Sequence, residues 1–297
     1  MFDVLFDLIP QFRRVPDLLP WLAYDDETRT FVCDGNYIGF TFSAMPMSGF
    51  EDTMEKRFRS LLNFEFPQGT FLQFNLMVFD DVSRHISDLR QARAGTDDHL
   101  INTATAKTVE FITRGAMGGG ELPVRNATLL ISVKLPIAAE MPTEDDLAET
   151  ARLQREIAEI LATVGFQELR ILNDTELLYQ LNLILNRGPL AAWRGGRMPV
   201  DGSKFLRDQV LDYDAPITIS EKTVRVGDTH ITPLSAKRLP RGGYFGLAER
   251  FSIDPLSGDR GIPCAHMITT TIKIEDIAQM RPALERKRQY YSTYDRG

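Results

Sequence analysis

The sequence predicts an α+β fold, equally described as α/β, with a mixed sheet and packed helices in the first two thirds and a β-rich last third. Three observations predict it. Strand-length stretches with alternating apolar residues, such as Leu72, Phe74, Leu76 and Val78, are separated by stretches whose apolar residues fall at helical spacing. Two helix starts carry capping signatures, Thr143 with Asp146 and Asn173 with Glu176. Beyond residue 205 the texture changes to short β-branched runs divided by turn residues.

Taken in order, Phe31-Val32 and Tyr37 to Phe42 flank Asp34-Gly35-Asn36, which reads as a hairpin whose glycine accepts positive φ. Phe50 to Leu62 has helical spacing, Pro67-Gln68-Gly69 breaks it, and Thr70 to Phe79 follows as a strand buried on at least one side. A polar helix over Ser83 to Ala94 and a second near His99 to Arg114 lead to Gly118-Gly119-Gly120 and a strand over Thr128 to Leu135. The helix opened by Thr143 carries Leu153, Ile157, Ile160, Leu161 and Val164 on one face and stops at Gly165. Phe166 to Leu172 is strand-like, and Asn173 caps a helix with a Leu177, Leu178, Leu181, Ile184 and Leu185 stripe. Short strands follow at Ile217 to Ile219, Thr223 to Val226 and Thr229 to Ile231, with a longer one at Met267 to Ile274. The domains expected are 1–186, a linker over 187–205, a β-rich subdomain over 206–275 and the start of a connecting helix over 276–297.

The chain has 297 residues, 43% of them hydrophobic, which is enough for one large core or two modest ones. A net charge of −7 argues against a duplex-coating protein, although a local basic patch can hide within an acidic average. Nucleic acid is therefore not the expected partner of this region. Cys33 and Cys264 form no CxxC pattern, and a reducing compartment is expected. The first residues, with Asp3 and Asp7, lack the basic start and cleavage site of a signal peptide, and no stretch approaches the roughly 20 apolar residues needed to span a bilayer. The expected localisation is cytoplasmic, with membrane contact peripheral.

Catalytic chemistry is sought and not found. A phosphate-cradling loop requires GxxxxGK[ST], and the nearest imitation, Gly196 to Lys204, has the wrong spacing, inverts Ser203 and Lys204 and carries Pro199 where an N–H is needed. Cys264 and His266 are two ligands at most and make no zinc site. The acidic pairs Asp25-Asp26, Asp80-Asp81, Asp97-Asp98 and Asp145-Asp146 abut turns and helix starts and read as caps. No catalytic, cofactor-binding or metal residue is assigned. Arg187, Arg194 and Arg197 around Trp193 form a weak candidate for contact with an anion or single-stranded nucleic acid, against the plainer reading of an exposed linker. Arg281, Arg286, Lys287 and Arg288 near Tyr290 read as a solvated helix face.

Leu19-Pro20-Trp21-Leu22-Ala23-Tyr24-Asp25, the hairpin ending Gly39-Phe40-Thr41-Phe42 with Met45-Pro46, Pro67-Gln68-Gly69-Thr70 into Leu72-Gln73-Phe74, Arg125 to Pro136, and Leu206 to Leu211 follow one another along the chain. Together these phrases resemble the N-terminal region of TraC-like conjugative-transfer ATPases of type IV secretion systems. In that family a RecA-like motor follows such a region, so the resemblance implies a chain truncated before the motor. ATP and magnesium would belong to that downstream part, and no catalytic residue of the family carries over. The implied role is docking a cytoplasmic motor to inner-membrane subunits, with self-association into a homo-oligomer a further expectation. Phe2, Leu5, Phe6 and Trp21 are the candidate partner-docking residues. The alternatives are a stand-alone α/β enzyme with a dispersed site and a nucleic-acid-handling module.

Overall fold

The computed structural model describes residues 15–47, 52–79, 81–114, 125–187, 191, 199–211, 216–235, 262, 264–275, 280–282, 284–286 and 288. After a 3-10 turn at Val15–Leu18, β1 (Trp21–Asp25) and β2 (Thr30–Cys33) pair across a turn in which Asp25 accepts the Thr28 amide at 2.8 Å. Gly35 and Asn36 take φ of 76° and 63°, as the turn into β3 (Tyr37–Met45) requires.

From β3 the chain builds one recognisable unit. α1 (Asp52–Leu62) crosses to β4 (Phe71–Phe79), and β5 (Asn126–Pro136) inserts between β3 and β4. α4 (Glu144–Val164) then crosses to β6 (Gln167–Ile171), which pairs with β3 on the flank away from β5. The connectivity β3-α1-β4-β5-α4-β6, with spatial order β6-β3-β5-β4, is the split βαβ, ferredoxin-like arrangement. The hairpin β1-β2 extends the flank of β3 end to end with β6, and β10 (His266–Lys273) adds a strand outside β4. Two more helices, α2 (Ser83–Arg93) and α3 (His99–Arg114), stand in the β4–β5 connection.

The α+β class therefore holds, and the structure corrects the mixed sheet in one respect: every described pairing is antiparallel. The helical crossovers do join parallel strands, β3 to β4 and β5 to β6, but an antiparallel strand separates each pair. Residues 206–275 hold two kinds of strand. β7 (Ile217–Ile219), β8 (Val224–Val226) and β9 (Thr229–Ile231) form their own sheet, whereas β10 joins the large one.

Alternation along the strands sends apolar residues to both faces. On one face Ile38, Phe40, Phe42, Ile131 and Val133 meet α1 and α4 through Leu61, Ile157, Leu161 and Val164, all between 0% and 3% exposed. Each such burial stabilises by about 1.5–3 kcal/mol relative to exposure. α4 starts at a complete capping box, Thr143 with Asp146, and ends at Gly165 with φ 111°. On the other face Phe31, Cys33, Met77, Phe79 and Leu130 pack against α5 (Asp174–Leu185), itself opened by the Asn173–Glu176 capping box, and against Leu206, Val210 and Leu211. Among the described residues that second cover leaves Phe71 and Lys134 half-buried and Lys273 exposed on the same face.

Candidate docking surface

The helical hairpin of α2 and α3 contrasts with the other long helices: none of its described residues is buried. Its root is fixed. Asp81, 7% exposed, accepts the Ser83 amide at 3.0 Å and the Ser83 hydroxyl, while its other oxygen accepts the Tyr179 hydroxyl from α5. Asp98 caps the second helix through the Leu100 amide at 2.8 Å, and Arg93 reaches across to the Thr105 hydroxyl at 2.9 Å.

Leu100, Ala104, Lys107 and Phe111 follow one another at steps of four, three and four, which places them on one stripe of α3. Leu100 is 77% and Phe111 53% exposed, with Ile101 flanking them at 37%. Three of the four threonines of this helix are satisfied internally: Thr105, Thr108 and Thr113 donate their hydroxyls to the carbonyls of Ile101, Ala104 and Val109 at 2.7, 2.8 and 2.6 Å. Covering the helix would strand none of these three hydroxyls, and burying Leu100 and Phe111 would contribute about 1.5–3 kcal/mol each.

A cleft of about 660 Å³ lies where the phosphate-loop imitation ends, lined by Tyr24, Asp174, Asp201, Ser203, Lys204 and Asp208 among others. Asp201 accepts the Ser203 amide and hydroxyl and pairs with Lys204 at 3.2 Å; these contacts hold its carboxyl down at about 2. Lys204 is thus already paired, and three carboxylates against one ammonium disfavour a phosphate. Burial and the nearby Asp26, Asp174 and Glu176 push the Tyr24 hydroxyl up to about 12, although Arg29 pulls the other way.

The family model described as TraC protein matches residues 15–293 of the chain. The chain belongs to the TraC protein family. It is accordingly a protein of conjugative transfer, related to type IV secretion. No curated protein matches it.

In this TraC-family chain the sequence-predicted residues are dispersed. Trp21 is half-buried, packed with Leu19 against the core under α5. Phe2, Leu5 and Phe6 lie outside the described residues, as do Arg194 and Arg197. Arg187 turns inward, its guanidinium 5.2 Å from the Phe79 ring centre and donating to the Leu183 carbonyl at 3.1 Å. His266 contacts the Cys264 carbonyl through Nδ1 at 2.9 Å, and among the described residues no group of three or more His, Cys, Asp or Glu could hold a metal ion. Four of the acidic residues expected as caps, Asp25, Asp81, Asp98 and Asp146, each accept a backbone amide at a turn or helix start. Among the described residues no helix is long and apolar enough to cross a membrane.

Sequence reasoning placed both helices of the hairpin but missed their exposure. The signal available was the Leu100 to Phe111 stripe, which looks the same in sequence whether a core or a partner receives it.

Proposed function

We propose that this TraC-family chain is the non-catalytic docking region of a conjugative type IV secretion ATPase. It holds a cytoplasmic motor against inner-membrane subunits for pilus assembly and for DNA or protein transfer. ATP and magnesium belong to the motor, and attachment at the membrane is peripheral, through protein contacts. One observation carries the reading: a hairpin anchored firmly at its root, with no buried described residue, presents Leu100, Ile101 and Phe111 outward on a helix whose three bonded threonine hydroxyls need nothing from water. Exposed apolar side chains grouped on a helix are a docking signature rather than a folding requirement.

The test is co-purification of the tagged chain with the inner-membrane subunits of its transfer system, solubilised in mild detergent. Leu100→Glu with Phe111→Glu should abolish capture while leaving the thermal unfolding midpoint within a few degrees, since neither side chain is buried. Undiminished capture by that variant would remove the hairpin from the interface.

A further inference from the structure

One corner of the large sheet, which among the described residues α5 does not cover, gathers a set of groups that the docking surface does not use. Registration across β2, β3, β5, β4 and β10 places Phe31, Gly39, Lys134, Phe71 and Lys273 in one row on one face. Phe31 is covered, whereas Lys134 and Phe71 are half-exposed and the Lys273 side chain is 46% exposed. Lys134 Nζ stands 4.1 Å from the Tyr37 ring centre and 5.9 Å from that of Phe71, and Lys273 Nζ stands 5.8 Å from Phe71. One aromatic ring is therefore bracketed by two ammonium groups from the strands on either side.

The next row, Thr41, Ser132, Gln73 and Thr271, is entirely hydroxyl and amide. Thr41, 3% exposed, is covered and shares a hydrogen bond with Ser132 at 3.0 Å, and Gln73 donates to Thr271 at 3.1 Å, so Ser132, Gln73 and Thr271 form the accessible polar ladder beside the ring. Glu275 pairs with Lys273 at 2.5 Å and partly neutralises the corner.

We propose that this corner binds single-stranded nucleic acid. A base packs against Phe71, phosphates approach Lys134 and Lys273, and the polar ladder contacts base edges and sugars. Sheet faces that combine an aromatic platform with flanking cations suit this ligand, because every base has a stacking face and every linkage a negative charge. An acidic peptide satisfies the lysines but leaves the ring and the ladder without matching chemistry. The net charge of −7 limits the affinity and confines it to this local patch. The inference does not depend on the docking reading, whose residues lie on a different element.

The experiment is fluorescence anisotropy of a short labelled oligothymidylate titrated with the full chain at several salt concentrations. Binding should weaken with salt at a slope of about −1.4 in logarithmic units, as two phosphate contacts on a single strand imply. Lys273→Ala should weaken binding severalfold, and Phe71→Ala about tenfold. Glu275→Gln, on an exposed head group, should strengthen binding by releasing Lys273. No binding by the unaltered chain at low salt would overturn the proposal. So would affinity that ignores both Lys273→Ala and Glu275→Gln, or displacement by polyglutamate as effective as by unlabelled oligothymidylate.

Discussion

A Cβ placed on Gly39 would stand 2.3 Å from the Val133 carbonyl and 3.2 Å from the Lys134 Cα, and both are backbone atoms of the central strand β5. No rotamer change relieves that contact. Gly39→Ala should therefore lower stability by about 1–3 kcal/mol, read as a shift of the urea midpoint without a change in slope. The two cysteines differ in the same local way. Burial pushes the Cys33 thiol up to about 12, with Lys134 pulling the other way, whereas Cys264 is exposed. An aromatic disulfide reagent at mildly alkaline pH should titrate one thiol in the folded chain and both after denaturation. At the start of α4, hydrogen bonds from the Thr143 amide and hydroxyl hold Asp146 below the ordinary carboxylate value. A depressed folded-state value means the cap contributes fully above the ordinary range and is lost as pH falls through the folded value. Thr143→Ala should cost about 1 kcal/mol near neutral pH and flatten the acid limb of the stability profile, measured by thermal melts across that range.

Among the elements, α4 and the α2–α3 hairpin are opposites. Ile157 and Leu161 are 0% exposed, and truncating either to alanine should cost about 2–5 kcal/mol in chemical denaturation. The hairpin is held mainly at its base, where Tyr179 donates to Asp81. Tyr179→Phe should speed amide hydrogen exchange in α2 while leaving α4 protected, because local opening there exposes no buried side chain of the hairpin. Both capping boxes and the Gly165 stop were legible in the sequence because capping is chemistry between near neighbours, and the observed pairs are the residues singled out there. The burial difference between the two helical regions was not legible. Periodicity reports that a helix has an apolar stripe, and only the packing of distant segments says what meets it.

For the molecule as a whole, strand order was the least legible feature. Apolar alternation identified β3, β4 and β5 as strands, but the insertion of β5 between the other two follows from long-range pairing that no local pattern encodes. Likewise β10 reads as part of a β-rich tail until its eight residues are seen paired with β4. The corner site was hidden for the same reason, since Lys134 and Lys273 come together only across strands far apart in sequence. A chain ending at residue 235 would lose the cover of β4, so it should associate more strongly in sedimentation velocity than the full chain does at equal concentration.

That late closure carries over to synthesis. Roughly 190 residues separate β4 from the strand that seals it, and at about 5–20 residues per second the ribosome needs on the order of ten to forty seconds to deliver it. For that interval the nascent polypeptide carries a nine-residue, mostly apolar ribbon with an unsealed flank, so its yield in the cell should depend on holdase chaperones more than the finished protein's own stability would suggest.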